Sequence, residues 1–404
     1  MPNLNWLLFN NPVYDSTSAY FFDLTRTNIT AASFSTIAQG GFGDANLEIE
    51  EPPARLIQLA LDSFLMKRVV AYDGAGRVAY EGFVAEIDAT LERQRFIRSM
   101  DQFSNRVYVE HKYRNGQGTP CAKGATCIGR QTRDEDDVAT TQTQTEWGIK
   151  TATLDLNPFG HVAITDAQNA GDLYLRHSLR ASAVDFQQYG EEPQPNHISL
   201  GIWGYYATLQ WNIQTRKYAT ATEIATIVKG GLTSIVVGGG NLTSAPQFIS
   251  SDHSDIATTG RTIKYNVQRK RMTFMDYIQG ALIEGDSNAR RLFFQILDNR
   301  RPRLFARPAA ARFYATNDLD RIWNEQHTVI PPYMMRAGGY IATENFNESF
   351  DPIADIQTRR HTSLVDRTIY DDMTGRLSIP PPDNVISPER LLARTYRKTK
   401  KHLY

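Results

Sequence analysis

The stretch from Arg68 to Asp88 constrains the fold more than any other. Arg68-Val-Val-Ala-Tyr72 is followed by Asp73-Gly-Ala-Gly76, then Arg77-Val-Ala-Tyr80 and Gly82-Phe-Val-Ala-Glu-Ile-Asp88. Asp-Gly between two apolar runs predicts a tight hairpin, because glycine supplies the left-handed backbone the turn requires. Similar grammar lies on either side. Ala32-Ser-Phe-Ser-Thr-Ile37 and Ala45-Asn-Leu-Glu-Ile-Glu50 alternate small or apolar residues with polar ones, and Gly40, Gly41 and Gly43 punctuate the interval. That is the period of a half-buried strand. Pro52-Pro53 then opens a helical period, with Leu56, Ile57, Leu59, Ala60, Leu61, Phe64 and Leu65 on one wide face.

The second half follows the same order. Tyr205-Tyr-Ala-Thr-Leu-Gln-Trp211 reads as a strand. Thr220 and Glu223 form a capping-box pattern before Ile224, Ile227 and Val228, with Gly230-Gly231 as the stop. A further helix is predicted from Thr273 to Glu284, ended by Gly285. Arg291-Leu-Phe-Phe-Gln-Ile-Leu297, a turn at Asp298-Asn299 and Arg303-Leu-Phe-Ala306 make another hairpin.

The expected fold is therefore mainly β (a β-rich α+β chain). Two barrel-like domains are expected at 1–100 and 201–330, with an insertion or linker region at 101–200 and a C-terminal extension with a basic tail at 331–404. Within the insertion, residues 114–146 carry Gly116, Gly118, the acidic run Asp134-Glu-Asp-Asp137 and a Thr/Gln tract, which reads as an exposed loop or a small insertion. Residues 186–197 read as a linker, and Gly238-Gly-Gly240 as a break.

Lysines plus arginines number 44 and aspartates plus glutamates also 44 among 404 residues. This balance removes the usual case for a nucleic-acid-binding protein and leaves little self-repulsion to keep copies apart. The start, Met1-Pro-Asn-Leu-Asn-Trp-Leu-Leu-Phe9, lacks the charged and long apolar regions of a signal peptide, and no apolar run reaches the roughly 20 residues of a bilayer span. Two cysteines suggest folding in a reducing compartment. For Cys121 and Cys127, unpaired thiols, a small-loop disulfide and a metal site with His111 as a further ligand all stay open.

Catalytic motifs meet simpler explanations. Gly238-Gly-Gly-Asn241 lacks the following Lys-Ser/Thr of a phosphate loop. Asp252-His253-Ser254-Asp255 sets triad residue types side by side, whereas a triad converges from different elements. Asp371-Asp372 before Thr374-Gly375 suits a turn better than an acid pair. No cofactor is expected and the chain does not read as an enzyme. Two basic tracts remain. Arg290, Arg291, Arg300, Arg301, Arg303, Arg307 and Arg312 face only Asp298 within their span, and Arg394, Arg397, Lys398, Lys400 and Lys401 follow Glu389 and Arg390 with no further acid. The first tract is expected to make inter-subunit contacts; the second, to contact a partner or DNA.

Several stretches resemble the tail-hub (baseplate-hub) proteins of long-tailed bacteriophages and related contractile injection machines. Gly40-Gly-Phe-Gly-Asp-Ala-Asn-Leu-Glu-Ile49 resembles their glycine-rich turn and strand. Lys67 to Ile87 looks like their paired strands, and Met272-Thr-Phe-Met-Asp-Tyr-Ile278, Gly285-Asp-Ser287 and Phe293 to Phe305 resemble the helix and hairpin of their second barrel. The resemblance covers about three-quarters of the chain as an order of elements. It implies two tail-tube-like β-barrels per subunit and a homotrimer that joins a sixfold tube to a threefold tip. Further implied partners are distal tail and tube proteins, a tape-measure protein and tail-tip or fibre proteins. DNA would pass through the lumen without sequence recognition, and the location would be the virion tail tip, assembled in the bacterial host cytoplasm. The alternatives are a hexameric distal-tail adaptor ring, a receptor-binding module with Trp147, Trp203, Trp211 or Trp323 in a carbohydrate groove, and a hydrolase whose carboxylates the fold would gather.

Overall fold

The structure is a computed structural model that describes residues 2–10, 19–114, 122, 125–139, 143–182, 185–188, 194–211, 213–214, 218–233, 248–265, 272–308, 311–316, 321–326, 328–344 and 361–380. It is mainly β, with several sheets. The largest has 13 strands. Across it run Tyr20–Asp23, Asn5–Phe9, Arg68–Tyr72, Val78–Leu91, His197–Gly204, Gly40–Glu50, Ile29–Ile37, Arg367–Asp371 and Arg376–Ser378. Val78–Leu91 is long enough to pair Arg68–Tyr72 along its first half and Gln94–Ser99 along its second.

The predicted hairpin forms around Asp73. Its carboxylate accepts from the backbone N–H of Ala75 at 2.9 Å and of Arg77 at 2.8 Å, locking the turn that Gly76 completes at φ +77°. The helix after Pro52-Pro53 spans Ala54–Ser63 and buries Ile57, Ala60 and Leu61. Helix Phe274–Leu282 starts as predicted, with the Thr273 hydroxyl accepting from the Asp276 N–H at 3.1 Å.

The large sheet curls until its distant strands share one interior. Trp6 lies 6.0 Å from Tyr80 and 6.3 Å from Phe34 between ring centres; Phe34 lies 5.3 Å from Tyr370. Tyr370 belongs to Arg367–Asp371, far from Asn5–Phe9 in strand order, so only a strongly bent sheet brings these rings together. The buried Asp372 carboxylate bridges the remaining gap. It accepts from Trp6 Nε1 at 2.8 Å and from the N–H groups of Asn3 and Leu4 at 3.1 and 3.3 Å.

Strands from 1–100 and from 201–330 meet in the large sheet. His197–Gly204 sits between Val78–Leu91 and Gly40–Glu50, because Ile198, Leu200 and Ile202 alternate inward with small or polar residues. Leu292–Ile296 joins Gly40–Glu50 in parallel, pairing Gln295 with Gly40 and Ile296 with Gly41, and Pro302–Ala306 lies beside it. Arg367–Asp371 pairs with Ile29–Ile37. One apolar cluster runs through all of these strands and the helices Ala54–Ser63, Ile224–Leu232 and Phe274–Leu282.

Two local expectations change. Tyr205–Trp211 is a 3-10 helix rather than a strand, with Tyr205, Tyr206, Leu209 and Trp211 all buried. The extended chain ends at Gly204, where an added Cβ would lie 1.9 Å from the Phe42 carbonyl oxygen. Helix Ile224–Leu232 is capped by Glu223 itself, whose carboxylate accepts from the Thr226 N–H at 3.0 Å; Thr220 belongs to the preceding strand Tyr218–Glu223.

Much of 101–200 forms a small α/β unit. Thr151–Asp155, Arg106–Arg114 and Thr126–Asp134 make a three-stranded sheet, and Ile164–Ser178 packs on it through Ala167, Gly171 and Leu175 against Val107 and Val109. The acidic run is tied down. Arg106 pairs with Asp134 at 2.5 Å, Arg133 with Asp137 at 3.4 Å, and buried Glu135 accepts from the Gln144 N–H at 2.8 Å. Cys127 is disulfide-bonded, the second of the three states left open by the sequence. The only other cysteine in the sequence, Cys121, lies outside the described residues, as do Gly116, Gly118 and Gly238–Gly240. A fifth set of strands, Ala311–Thr316, Ile322–Asn324, Val329–Ile330, Tyr340–Glu344 and His361–Leu364, forms a separate sheet.

Candidate interaction surface

The arginine tract splits into two groups. Arg300, expected at a subunit contact, is only 1% exposed and lies inside the protein. Its Nε donates to Glu81 Oε1 at 3.1 Å, Arg68 Nε reaches the same oxygen at 2.9 Å, and its guanidinium lies 4.4 Å from the Tyr205 ring centre. A side chain held this way has no face left for a second subunit. Arg290 pairs with Asp286 at 2.8 Å, Arg301 with Asp252 at 2.9 Å and Asp255 at 3.6 Å, and Arg291 loosely with Asp366 at 3.7 Å. These are partly exposed pairs, each worth little in stability.

Arg303, Arg307 and Arg312 differ. Among the described residues none has a carboxylate within salt-bridge distance; they rest on aromatic rings instead. Arg303 and Arg312 lie 5.0 and 5.6 Å from the Phe305 ring centre, and Arg307 lies 4.6 Å from that of Tyr340. Burial lowers the Arg312 pKa, the neighbouring Arg303 charge lowers it further, and Glu325 opposes both. Phe305 packs in turn on Phe293, 5.6 Å away, with Arg291 over that ring at 5.0 Å. The result is a half-buried arginine–aromatic rim on the hairpin Leu292–Ile296/Pro302–Ala306. The outer edge of that hairpin is closed at Leu304, which exchanges backbone hydrogen bonds with Asp255 and Ala257, both 3.1 Å. The rim thus offers side chains rather than an open strand edge.

At the far end of Gly40–Glu50 the uncovered face of the sheet has the opposite character. In register across the strands stand Glu48, Ser199 and Asp88, then Asn46, Gly201 and Glu86, with Asp44 and Glu50 exposed at either side. The polar side chains lie flat: Ser199 Oγ bonds Asn46 Oδ1 at 3.2 Å, and Asn46 Nδ2 bonds Glu48 Oε1 at 3.1 Å. Asp88 pairs with Arg95, whereas Asp44, Glu48, Glu50 and Glu86 have no salt bridge among the described residues. Burial raises the Glu86 pKa, and the nearby Asp101 and Asp88 charges raise it further against the opposing pull of Arg95.

The residues weighed for catalysis are structural where they stand. Asp252 accepts from the Ser254 N–H at 3.0 Å and pairs with Arg301, so Asp252-His253-Ser254-Asp255 is a turn braced by an arginine. Asp371 accepts from the Met373 N–H at 2.9 Å, as a turn former does, while Asp372 ties down the first strand. His111 is fully buried with Nδ1 on the Val162 carbonyl at 3.0 Å. Among the described residues no group of three His, Cys, Asp or Glu side chains is placed to hold a metal. Trp211 is buried against Phe83 and Phe248, Trp147 packs on Phe103 and Trp203 on Phe83, which leaves these three no shared platform for a sugar. Among the described residues a pocket of about 210 Å³ lies beside Thr259 and Asp286, below the usual ligand-site range, and one of about 340 Å³ lies beside Tyr113 and His161, at its lower end.

No protein-family model matches the chain, and no curated protein is similar to it. Among the described residues no helix is long and apolar enough to cross a membrane. Arg394, Arg397, Lys398, Lys400 and Lys401 lie outside the described residues. The rim and the acidic face were only partly legible beforehand. The arginine tract was visible as a charge run, but which arginines are spent internally depends on Glu81, Asp252 and Asp286, far apart in sequence. The acidic face joins three strands whose residues look unremarkable singly.

Proposed function

We propose that this chain is a structural protein of a bacteriophage-type tail, a hub that works by assembly rather than bond making. One observation carries the reading. Three of the five stretches that resemble tail hubs, Gly40 to Ile49, Lys67 to Ile87 and Phe293 to Phe305, converge on one sheet, and the glycine-rich strand pairs directly with the second hairpin at Gly41 and Ile296. Separate fragments of likeness would carry less weight than segments that build one another's core. The curled sheet supports the reading too, because a tube wall needs curved sheets with polar outer faces.

In this role three copies would form a ring around a channel that joins tube to tip. DNA would pass without base recognition, and distal tail, tape-measure and fibre proteins would bind around the ring. The test is the mass of the purified chain by light scattering over a range of concentrations, together with electron microscopy of assembled particles. Three times the 45.6 kDa chain, or threefold density at a tail tip, is expected. A closed sixfold ring would replace the hub with a tube adaptor. A chain that never enters a particle would refute both.

A further inference from the structure

The charges of this chain balance overall but not locally, and the two imbalances lie at opposite ends of one strand. Gln295 pairs with Gly40 on one side and Arg303 on the other, which puts the arginine–aromatic rim at the Gly40 end of Gly40–Glu50. The acidic face lies at its Glu48 end. That much extended strand spans about 25 Å. The screening length at physiological salt is about 8 Å, so the two patches cannot neutralise each other within one copy.

The rim is also prepared for an acidic partner. Stacking on Phe305 and Tyr340 occupies the flat faces of Arg303, Arg312 and Arg307 and fixes their orientation. The planar fork of each guanidinium keeps donors at its edge, the geometry that receives carboxylates. Burial and the charge of Arg303 make the Arg312 cation costly, and the acids nearby, Glu325 toward Arg312 and Asp298 toward Arg303, offset this without forming a salt bridge to them among the described residues. A partner bearing carboxylates would relieve that cost. Across the molecule, Glu48 and Glu86 present such groups on a flat surface of small residues, with Ser199 and Gly201 between them. Trp203, paired with Asp44, and Arg95, in an ion pair with Asp88, border this surface.

We propose that the rim of Arg303, Arg307 and Arg312 docks on the acidic sheet face of Glu48 and Glu86 of a second copy of this chain. This rests on the assembly reading above and specifies the surface that would carry it. The two patches differ, so the contact is head-to-tail: each copy uses its rim on one neighbour and its acidic face on another. Contacts of this kind close into rings when the rotation permits.

The experiment uses the full-length chain and sedimentation velocity across concentrations. One variant reverses the rim (Arg303→Glu with Arg307→Glu); another reverses the face (Glu48→Lys with Glu86→Lys). Each alone is expected to weaken self-association about a hundredfold or more, since like charges then meet across the contact. An equimolar mixture of the two is expected to associate again, because each reversed patch finds its complement. Circular dichroism checks folding, and the face variant, which alters only surface side chains, keeps the test valid if the rim variant fails to fold. Raising salt is expected to weaken the wild-type association. Wild-type self-association untouched by either variant would overturn the proposal while leaving the hub reading intact on another surface. A wild-type chain that stays monomeric at every concentration, yet binds poly-glutamate or a DNA oligonucleotide through the rim, would overturn the second copy as occupant. A mixture that stays dissociated would overturn it as well.

Discussion

Replacing Glu81 by glutamine should be among the most damaging single changes the protein can suffer. Glu81 and Arg300 are each 1% exposed, and one carboxylate oxygen receives both Arg300 at 3.1 Å and Arg68 at 2.9 Å. Removing the charge strands two cations, one of them wholly inside the protein. Removing one partner of a buried ion pair costs about 3–5 kcal/mol. Glu81→Gln is expected at the upper end of that range. Arg300→Met is expected near its lower end, at about 3 kcal/mol, because Arg68 still answers Glu81. Against a typical total stability of about 5–15 kcal/mol, either loss is large. The double variant should recover part of the damage, with a coupling of about 2 kcal/mol or more, since the wholly buried cation is then gone and only the more exposed Arg68 is left without this acid. Urea titrations followed by tryptophan fluorescence measure all three, Trp211 and Trp6 being buried reporters. A loss below about 1 kcal/mol for Glu81→Gln, or strict additivity in the double variant, would refute the reasoning.

Two further outcomes follow from the geometry. Gly41 has φ +90°, and a Cβ there would lie 2.2 Å from the Ile296 carbonyl oxygen; Gly41→Ala is therefore expected to cost at least about 1–3 kcal/mol and to lower the thermal midpoint, whereas Gly74→Ala, with open space around it, should change little. Burial works against ionisation of Asp73, but hydrogen bonds from Tyr333 and Arg77 and the N–H of Ala75 outweigh it and bring the carboxyl down to about 2. The folded value lies below the ordinary value of about 3.9, so this stabilisation is full above about pH 4 and disappears as pH falls through 2. Asp73→Asn should flatten that part of the stability–pH curve measured by denaturation, and an unchanged acid limb would count against it.

Local chemistry was legible in the sequence wherever it was decided locally. Asp73-Gly74 gave the turn, Pro52-Pro53 the helix start and Thr273 its cap, because each acts within a few residues. Tyr205–Trp211 misled because aromatic and β-branched residues suit a strand, yet their burial is achieved here by a tight helix after Gly204. His197–Gly204 carried a clear alternation, but the proline-rich segment before it suggested a linker, and only its pairing with strands more than a hundred residues earlier makes it central. The pairing of Leu292–Ile296 with Gly40–Glu50 was hidden for the same reason: partners chosen across long distances leave no mark on either segment alone. Of the interaction surface, the arginines were visible, but their division into spent and available was not. That division is set by acids contributed from elsewhere.

The tie between Asn3 and Asp372 spans 369 positions of chain. Synthesis proceeds from one end, so the strand Ile29–Ile37 must wait for more than 300 further residues before its neighbour, Arg367–Asp371, emerges. Contacts this distant form slowly, since a long loop must be closed before they stabilise anything. Until then the Ile29–Ile37 strand has one unpaired side, and in a crowded ribosome queue a neighbouring nascent chain could pair with it first. Completion of the sheet therefore waits until Arg367–Asp371 has emerged, and a product truncated before that strand should be sticky rather than merely shorter.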